Sequence, residues 1–209
     1  WGAWRIAERG AEVVATDISR VKFHGLDSGR TMIDGHGHYF ERVLTEMERL
    51  PFANQTFDGV LIYAALHHSN DMPATLREVH RVLRPGGVAL VLHEGVSGIL
   101  RNNRFTGIRS VHEIDWQQFN WNEQGFWLHQ YVGAARRAGL RAQPLLAPFI
   151  ADRLERGDFS GLLFGRIGRA ASKVWRLPGG RRLLSSRVSV WAASYLVGMP
   201  LTAIMRRPR

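Results

Sequence analysis

The sequence predicts an α/β fold built on a doubly wound, mainly parallel sheet. Three observations carry that expectation. Phe57–Tyr63 (FDGVLIY) and Val88–His93 (VALVLH) are continuous apolar runs of strand length, as expected of strands buried on both faces. Between them Leu76, Val79, His80 and Leu83 recur at helical spacing, giving strand, helix, strand over a distance that suits a parallel crossover. Further upstream, a helical stretch from Trp1 to Arg9, a closing Gly10 and the short β-branched run AEVVAT ending at Asp17 read as the second half of another such unit.

Each element has local reasons. Asp71 followed by Pro73 is a helix start, an N-cap and then a proline in the first turn. Pro85-Gly86-Gly87 stops that helix, because glycine enters φ > 0 without penalty. Residues 18–38 read as a flexible polar loop, since Gly25, Gly29, Gly35 and Gly37 break any helix. His24, His36 and His38 fall in that loop, but they lack the i, i+4 ligand spacing of a zinc helix, so no metal site is expected. Residues 96–121 read as a loop or lid. Phe126, Tyr131, Val132, Ala135 and Ala138 predict a helix over 122–138, closed by Gly139. Residues 188–205 carry no charge, and Gly198, Pro200 and several hydroxyls argue against a membrane span. They read instead as a helix to Val197, a turn at Gly198-Met199-Pro200 and a strand from Leu201 to Met205.

Composition bounds the function. The 209 residues are 45% hydrophobic and 22% charged, the profile of a globular chain rather than a disordered one. Cysteine is absent, which excludes disulfides, thiolate metal ligands and thiol nucleophiles. The net charge of +10 is unevenly placed: residues 1–100 hold ten basic and twelve acidic side chains, and residues 101–209 hold eighteen and six. The second half therefore suits an anionic partner or surface. Its basic stretch 153–187, interleaved with aromatics, reads as a surface for anionic lipid, as a steering surface for an anionic substrate, or as a solvated face. Nucleic acid is the weakest choice, since no RNA-binding motif accompanies it.

The run from Leu50 to Gly87, with LPFANQTFD, ALHHSND and EVHRVLRPGG in order, resembles the class I S-adenosylmethionine-dependent methyltransferases of the type-11 group. With VVATDIS at residues 13–19, the resemblance covers about residues 1–95 and continues more weakly to Gly139. It implies a Rossmann-like sheet of the class I methyltransferase type, a cofactor-binding domain over residues 1–150, and a basic C-terminal region over 151–209 with a final strand. It implies S-adenosyl-L-methionine as cofactor. The acceptor would be a small molecule, a glycan or a lipid-linked intermediate, methylated in the cytoplasm, with an anionic membrane surface as a further partner.

The resemblance also implies roles. Asp17, with Ile18 after it, stands where the family binds the ribose hydroxyls; a carboxylate offers two acceptors to a vicinal diol. As a plain residue, Asp17 would equally cap a helix starting at Ile18 and Ser19. Glu46 and Met47 stand at the adenine position, with Glu46 one methylene longer than the family's usual Asp. Ala64, Ala65 and Leu66 line the methionine part. His67 and His68 occupy the family's histidine segment and are the candidates for a base or a substrate contact. Asp58 and Arg81 match recurrent structural positions. Trp116, Phe119, Trp121, Phe126 and Trp127 form either a stacking wall for a substrate or ordinary core. Gly2 matches the last glycine of the family's Gly-rich loop. The first strand and the earlier glycines have no counterpart, so the chain reads as incomplete at its amino end, with two strand edges left open. The competing expectation is a non-catalytic methyltransferase-like domain that binds a partner or a membrane surface.

Overall fold

The computed structural model describes residues 2–21, 25–99, 125–157 and 165–209. They form two compact units, residues 1–54 and 55–209.

In the first unit, helix α1 (Gly2–Ala7) leads through Gly10, at φ 84°, into strand β1 (Val14–Asp17). Helix α2 (Leu26–His36) and strand β2 (Glu41–Leu44) follow, and β2 pairs with β1 in parallel from Val14↔Glu41 to Asp17↔Leu44. The helix α2 corrects the expectation of a loop. Two of its glycines are boundaries rather than breakers: Gly25 precedes the first turn, and Gly37 closes the last in the left-handed region at φ 76°. Gly29 lies inside the helix because there is no room for a side chain. A Cβ there would lie 3.0 Å from Phe40 Cζ and 3.1 Å from Arg42 Cδ. Trp4, Leu26 and Phe40 are the buried apolar residues of this unit.

The second unit holds a four-stranded sheet in the order β3-β4-β6-β5. Strand β3 (Phe57–Tyr63) pairs in parallel with β4 (Leu83–Glu94). Helix α3 (Met72–Val82) connects them. Asp71 caps it by accepting the Ala74 N–H at 2.9 Å, as expected from the sequence. Met72, Thr75, Leu76, Val79 and Val82 form its buried face. After β4 come helix α4 (Leu128–Arg137), strand β5 (Arg141–Leu145), and helices α5 (Pro148–Arg156), α6 (Gly165–Trp175), α7 (Gly180–Leu184) and α8 (Arg187–Val197). Gly198, at φ 61°, then turns the chain into β6 (Leu201–Arg206). Strand β6 inserts antiparallel between β4 and β5. Residues on either side of position 150 therefore share one sheet.

The core of this unit joins Ile62, Leu76, Val91, Leu128, Tyr131 and Met205. Strand β3 is less covered than its apolar run predicts: Asp58, Gly59 and Tyr63 are exposed. Among the described residues β3 pairs only with β4 and β1 only with β2, so each has one unpaired edge. Beyond β6, Arg207 Nη1 donates to the carbonyls of His80 at 2.8 Å and Leu83 at 2.6 Å, satisfying acceptors at the end of α3. No helix among the described residues is long and apolar enough to cross a membrane.

Candidate active site

Ligands of open α/β sheets bind beyond the carboxyl ends of the strands. Both units place sequence-predicted residues there. Asp17 is the last residue of β1, and its carbonyl accepts the Thr45 N–H at 3.0 Å, which brings the turn holding Glu46 and Met47 to the same end of the sheet. Glu46 is exposed and Met47 half-buried. The Asp17 carboxylate accepts the Ser19 N–H at 2.8 Å in a local turn, and no helix starts at Ile18 or Ser19, so the helix-cap expectation is not met. Asp17 also lines a cavity of about 150 Å³ with Ala3, Thr16, Gly25, Gly29 and Phe40. Gly2 begins α1, and the Ile18 side chain is exposed.

In the second unit the carboxyl ends of β3 and β4 converge on Glu94. This residue is fully buried. One carboxylate oxygen accepts the backbone N–H groups of Ala65 at 3.0 Å and Leu66 at 3.1 Å. The other accepts the His67 N–H at 3.1 Å and lies 2.7 Å from His67 Nδ1. A buried charge is tolerated only when hydrogen-bonded in this way. With three N–H donors the group acts as a carboxylate, and Nδ1 is then the donor. That contact holds the imidazole ring in place through Nδ1. The His68 ring lies 4.1 Å from that of His67, centroid to centroid.

The backbone is strained at this end of the sheet. Ala64, just after β3, has φ 47°, and His93, beside Glu94, has φ 60°. Each costs about 1–2 kcal/mol for a residue with a Cβ. The Ala64 N–H donates to the Leu92 carbonyl at 2.9 Å, and the His93 ring packs between Tyr63 and Phe149 at 5.4 and 4.7 Å. The side chain of Leu66 belongs to the core, and its N–H, like that of Ala65, is committed to Glu94.

Sequence reasoning missed Glu94. The signal was available, since an acid closing an apolar strand just before Gly95 is the same pattern that singled out Asp17. Of the expected aromatic wall, Trp116, Phe119 and Trp121 lie outside the described residues. Phe126 packs edge-on against Tyr131 at 5.5 Å, and Trp127 stacks on Tyr195 at 5.7 Å, so both are packing residues. Asp58 pairs with Arg84 at 2.6 Å and Arg81 with Glu78 at 2.7 Å, structural pairs as expected. A second cavity, about 290 Å³, is lined by Asp58, Arg84, Gly87 and Arg209. It sits at the amino end of β3, away from the chemistry.

Known proteins resemble the amino-terminal part of this chain. The family described as "Methyltransferase domain" matches residues 2–91. Residues 2–91 are thus similar to methyltransferase domains, over 90 of the 209 residues. The chain is 39% identical over 90 residues to the ubiquinone/menaquinone biosynthesis C-methyltransferase UbiE of Hahella chejuensis, an alignment covering 42% of this chain and 35% of that protein. The chain spans about a third or less of the length of the curated relatives it matches. Among solved structures, an S-adenosylmethionine-dependent methyltransferase from Mesorhizobium loti is similar at TM-score 0.57 and 17% identity, over 99% of this chain and 86% of that one. The [4+2]-cyclase SpnF is similar at TM-score 0.57 and 18% identity, over 99% and 70%. These structures share the Rossmann-like α/β fold of the methyltransferase domain.

The family's cofactor is S-adenosylmethionine. The residues present fit part of it. Asp17 and Glu46 each bring a carboxylate to the same end of the sheet. The cavity beside Asp17 is smaller than the roughly 300 Å³ of a typical ligand site.

Proposed function

We propose that this chain transfers a methyl group from S-adenosylmethionine to an oxygen, nitrogen or carbon of a small-molecule, glycan or lipid-linked acceptor. The reading rests on one observation above others: Asp17 closes β1 beside the Glu46–Met47 turn, within a segment that matches the methyltransferase domain throughout. When bound, the cofactor supplies an already activated methyl group.

The protein's share is binding, alignment and proton removal. Asp17 accepts from the ribose hydroxyls, Glu46 from the adenine amine, and the Met47 backbone N–H meets a ring nitrogen. Gly2 allows close backbone approach, Ile18 covers the nucleoside, and the Ala64–Leu66 segment borders the methionine portion. His67 takes the acceptor's proton at Nε2 while Glu94 holds the ring through Nδ1, and His68 contacts the acceptor.

Calorimetric titration of the chain with S-adenosylmethionine and with its demethylated product tests the first step. Micromolar binding that disappears in Asp17→Ala is the expected result. A folded chain that releases no heat with either ligand refutes the reading and leaves a methyltransferase-like binding domain. Labelled methyl transfer to candidate acceptors then tests His67. His67→Ala should lower kcat by about 10²–10⁴-fold with cofactor affinity unchanged.

A further inference from the structure

From Gly165 to Arg209 the sequence carries ten Lys and Arg residues and no Asp or Glu. Seven of the ten fall between Arg166 and Arg187, along α6, α7 and the start of α8. Among the described residues only Arg181 of these seven lies in an ion pair, with Glu155 of α5 at 2.8 Å. Set among the cations are large apolar side chains that face solvent: Leu177 is 61% exposed, Leu183 58% and Val188 79%. Ile167 on α6 is exposed as well.

These residues do not hang on loose loops. Trp175 and Leu154 form a small core under the segment, with Ala171 and Leu184 packed against it. Trp175 Nε1 donates to Glu155 at 2.7 Å. Gly180 presses against α6 so closely that a Cβ there would lie 1.8 Å from the Val174 carbonyl oxygen. The Leu177 carbonyl accepts the Gly180 N–H at 2.9 Å, and the Leu183 carbonyl accepts the Ser189 hydroxyl at 2.7 Å. Leu177, Leu183 and Val188 therefore stand on successive turns fixed to one another.

We propose that this face, from α6 to the first turn of α8, docks the protein on an anionic lipid bilayer. Fixed cations meet the headgroup charge, and the aliphatic side chains enter the headgroup–acyl boundary. The residue types select this partner over RNA. Single-stranded RNA is held by stacking on exposed aromatic rings, whereas here the tryptophan is buried and the exposed groups are aliphatic. The inference is independent of the methyl-transfer reading, since none of its residues belongs to that site.

Sedimentation of the full chain with vesicles tests it, using phosphatidylcholine alone and phosphatidylcholine mixed with phosphatidylglycerol. The chain should bind the mixed vesicles at low salt, about tenfold or more above the neutral ones, and release as salt rises. The combined variant Leu177→Ser, Leu183→Ser, Val188→Ser should bind mixed vesicles at least about tenfold more weakly, with an unchanged melting curve because all three side chains are exposed. The variant Arg166→Gln, Arg169→Gln, Lys173→Gln should lose most of the preference for anionic vesicles. No sedimentation with mixed vesicles at low salt overturns the proposal. So does wild-type binding by the triple serine variant, which would mean charge adsorption alone. Binding of single-stranded RNA without binding of mixed vesicles overturns it in favour of a nucleic-acid surface.

Discussion

A carboxylate that water does not reach must find its partners inside the protein, and Glu94 finds four of them on the short turn from Ala65 to His67. Glu94→Gln keeps the size but turns an amide NH₂ toward a donor, and should cost about 1–3 kcal/mol in urea denaturation. Glu94→Ala should cost more, since three backbone N–H groups lose their acceptor. Stability within about 0.5 kcal/mol of wild type for both variants would show that the turn does not depend on the carboxylate. His80 gives a second test. Burial, and secondarily the Arg207 guanidinium, hold its pKa below the ordinary 6.5. The unfolded chain then binds the proton more readily, so stability is full above about pH 6.5 and falls as pH drops through that value toward the folded pKa. His80→Gln should flatten the dependence of Tm on pH between pH 7 and 5. An unchanged slope would remove His80 as its source. At this scale the sequence was legible where a residue's role is local, as in the Asp71 cap. It marked Glu94 only as an acid closing a strand, and not its role, because its partners lie 27 to 29 residues away and meet it only through the pairing of β3 with β4.

Strands β1, β3, β4 and β6 and helix α3 were legible as elements because their apolar runs and periods agree with the turn and cap residues beside them, whereas β2 and β5 were not read. Helix α2 was not, because glycine content is a statement about propensity and the element is decided by packing. Its glycines separate the two effects. A Cβ at Gly35 would meet nothing within 4 Å, whereas one at Gly29 would crowd Phe40 and Arg42. Gly35→Ala should therefore stabilise by about 0.5–1 kcal/mol, the helix-propensity gain. Gly29→Val should destabilise by about 1–3 kcal/mol through overpacking. Thermal denaturation of the two variants checks the pair, and equal shifts of the same sign would count against the packing argument. The turn into β6 was readable for the opposite reason: Gly198, Met199 and Pro200 interrupt an otherwise uniform uncharged run.

Across the whole molecule the burial is uneven. Among the described residues, eighteen buried ones form the main cluster of residues 55–209, whereas Trp4, Leu26 and Phe40 are the buried apolar residues of the first unit. Amides of β1 and β2 should accordingly exchange with deuterium well before those of β4 and β6. Equal protection, read by mass spectrometry, would show the first unit to be as stable as the second. The charge asymmetry was legible at this scale from counting alone. The sheet order was not, since no local pattern tells a strand at residues 201–206 to lie inside one at 141–145.

That insertion has a consequence for biosynthesis. The edge of β4 that β6 will occupy is complete at Glu94, yet its partner begins at Leu201. At ~5–20 residues per second a ribosome needs on the order of ten seconds to make the intervening stretch. For that interval a nascent chain carries a finished apolar strand with no neighbour on that side, and β5 has nothing to pair with. The fold thus closes only after translation has passed Arg206, and until then the nascent chain offers a chaperone an apolar strand edge to hold.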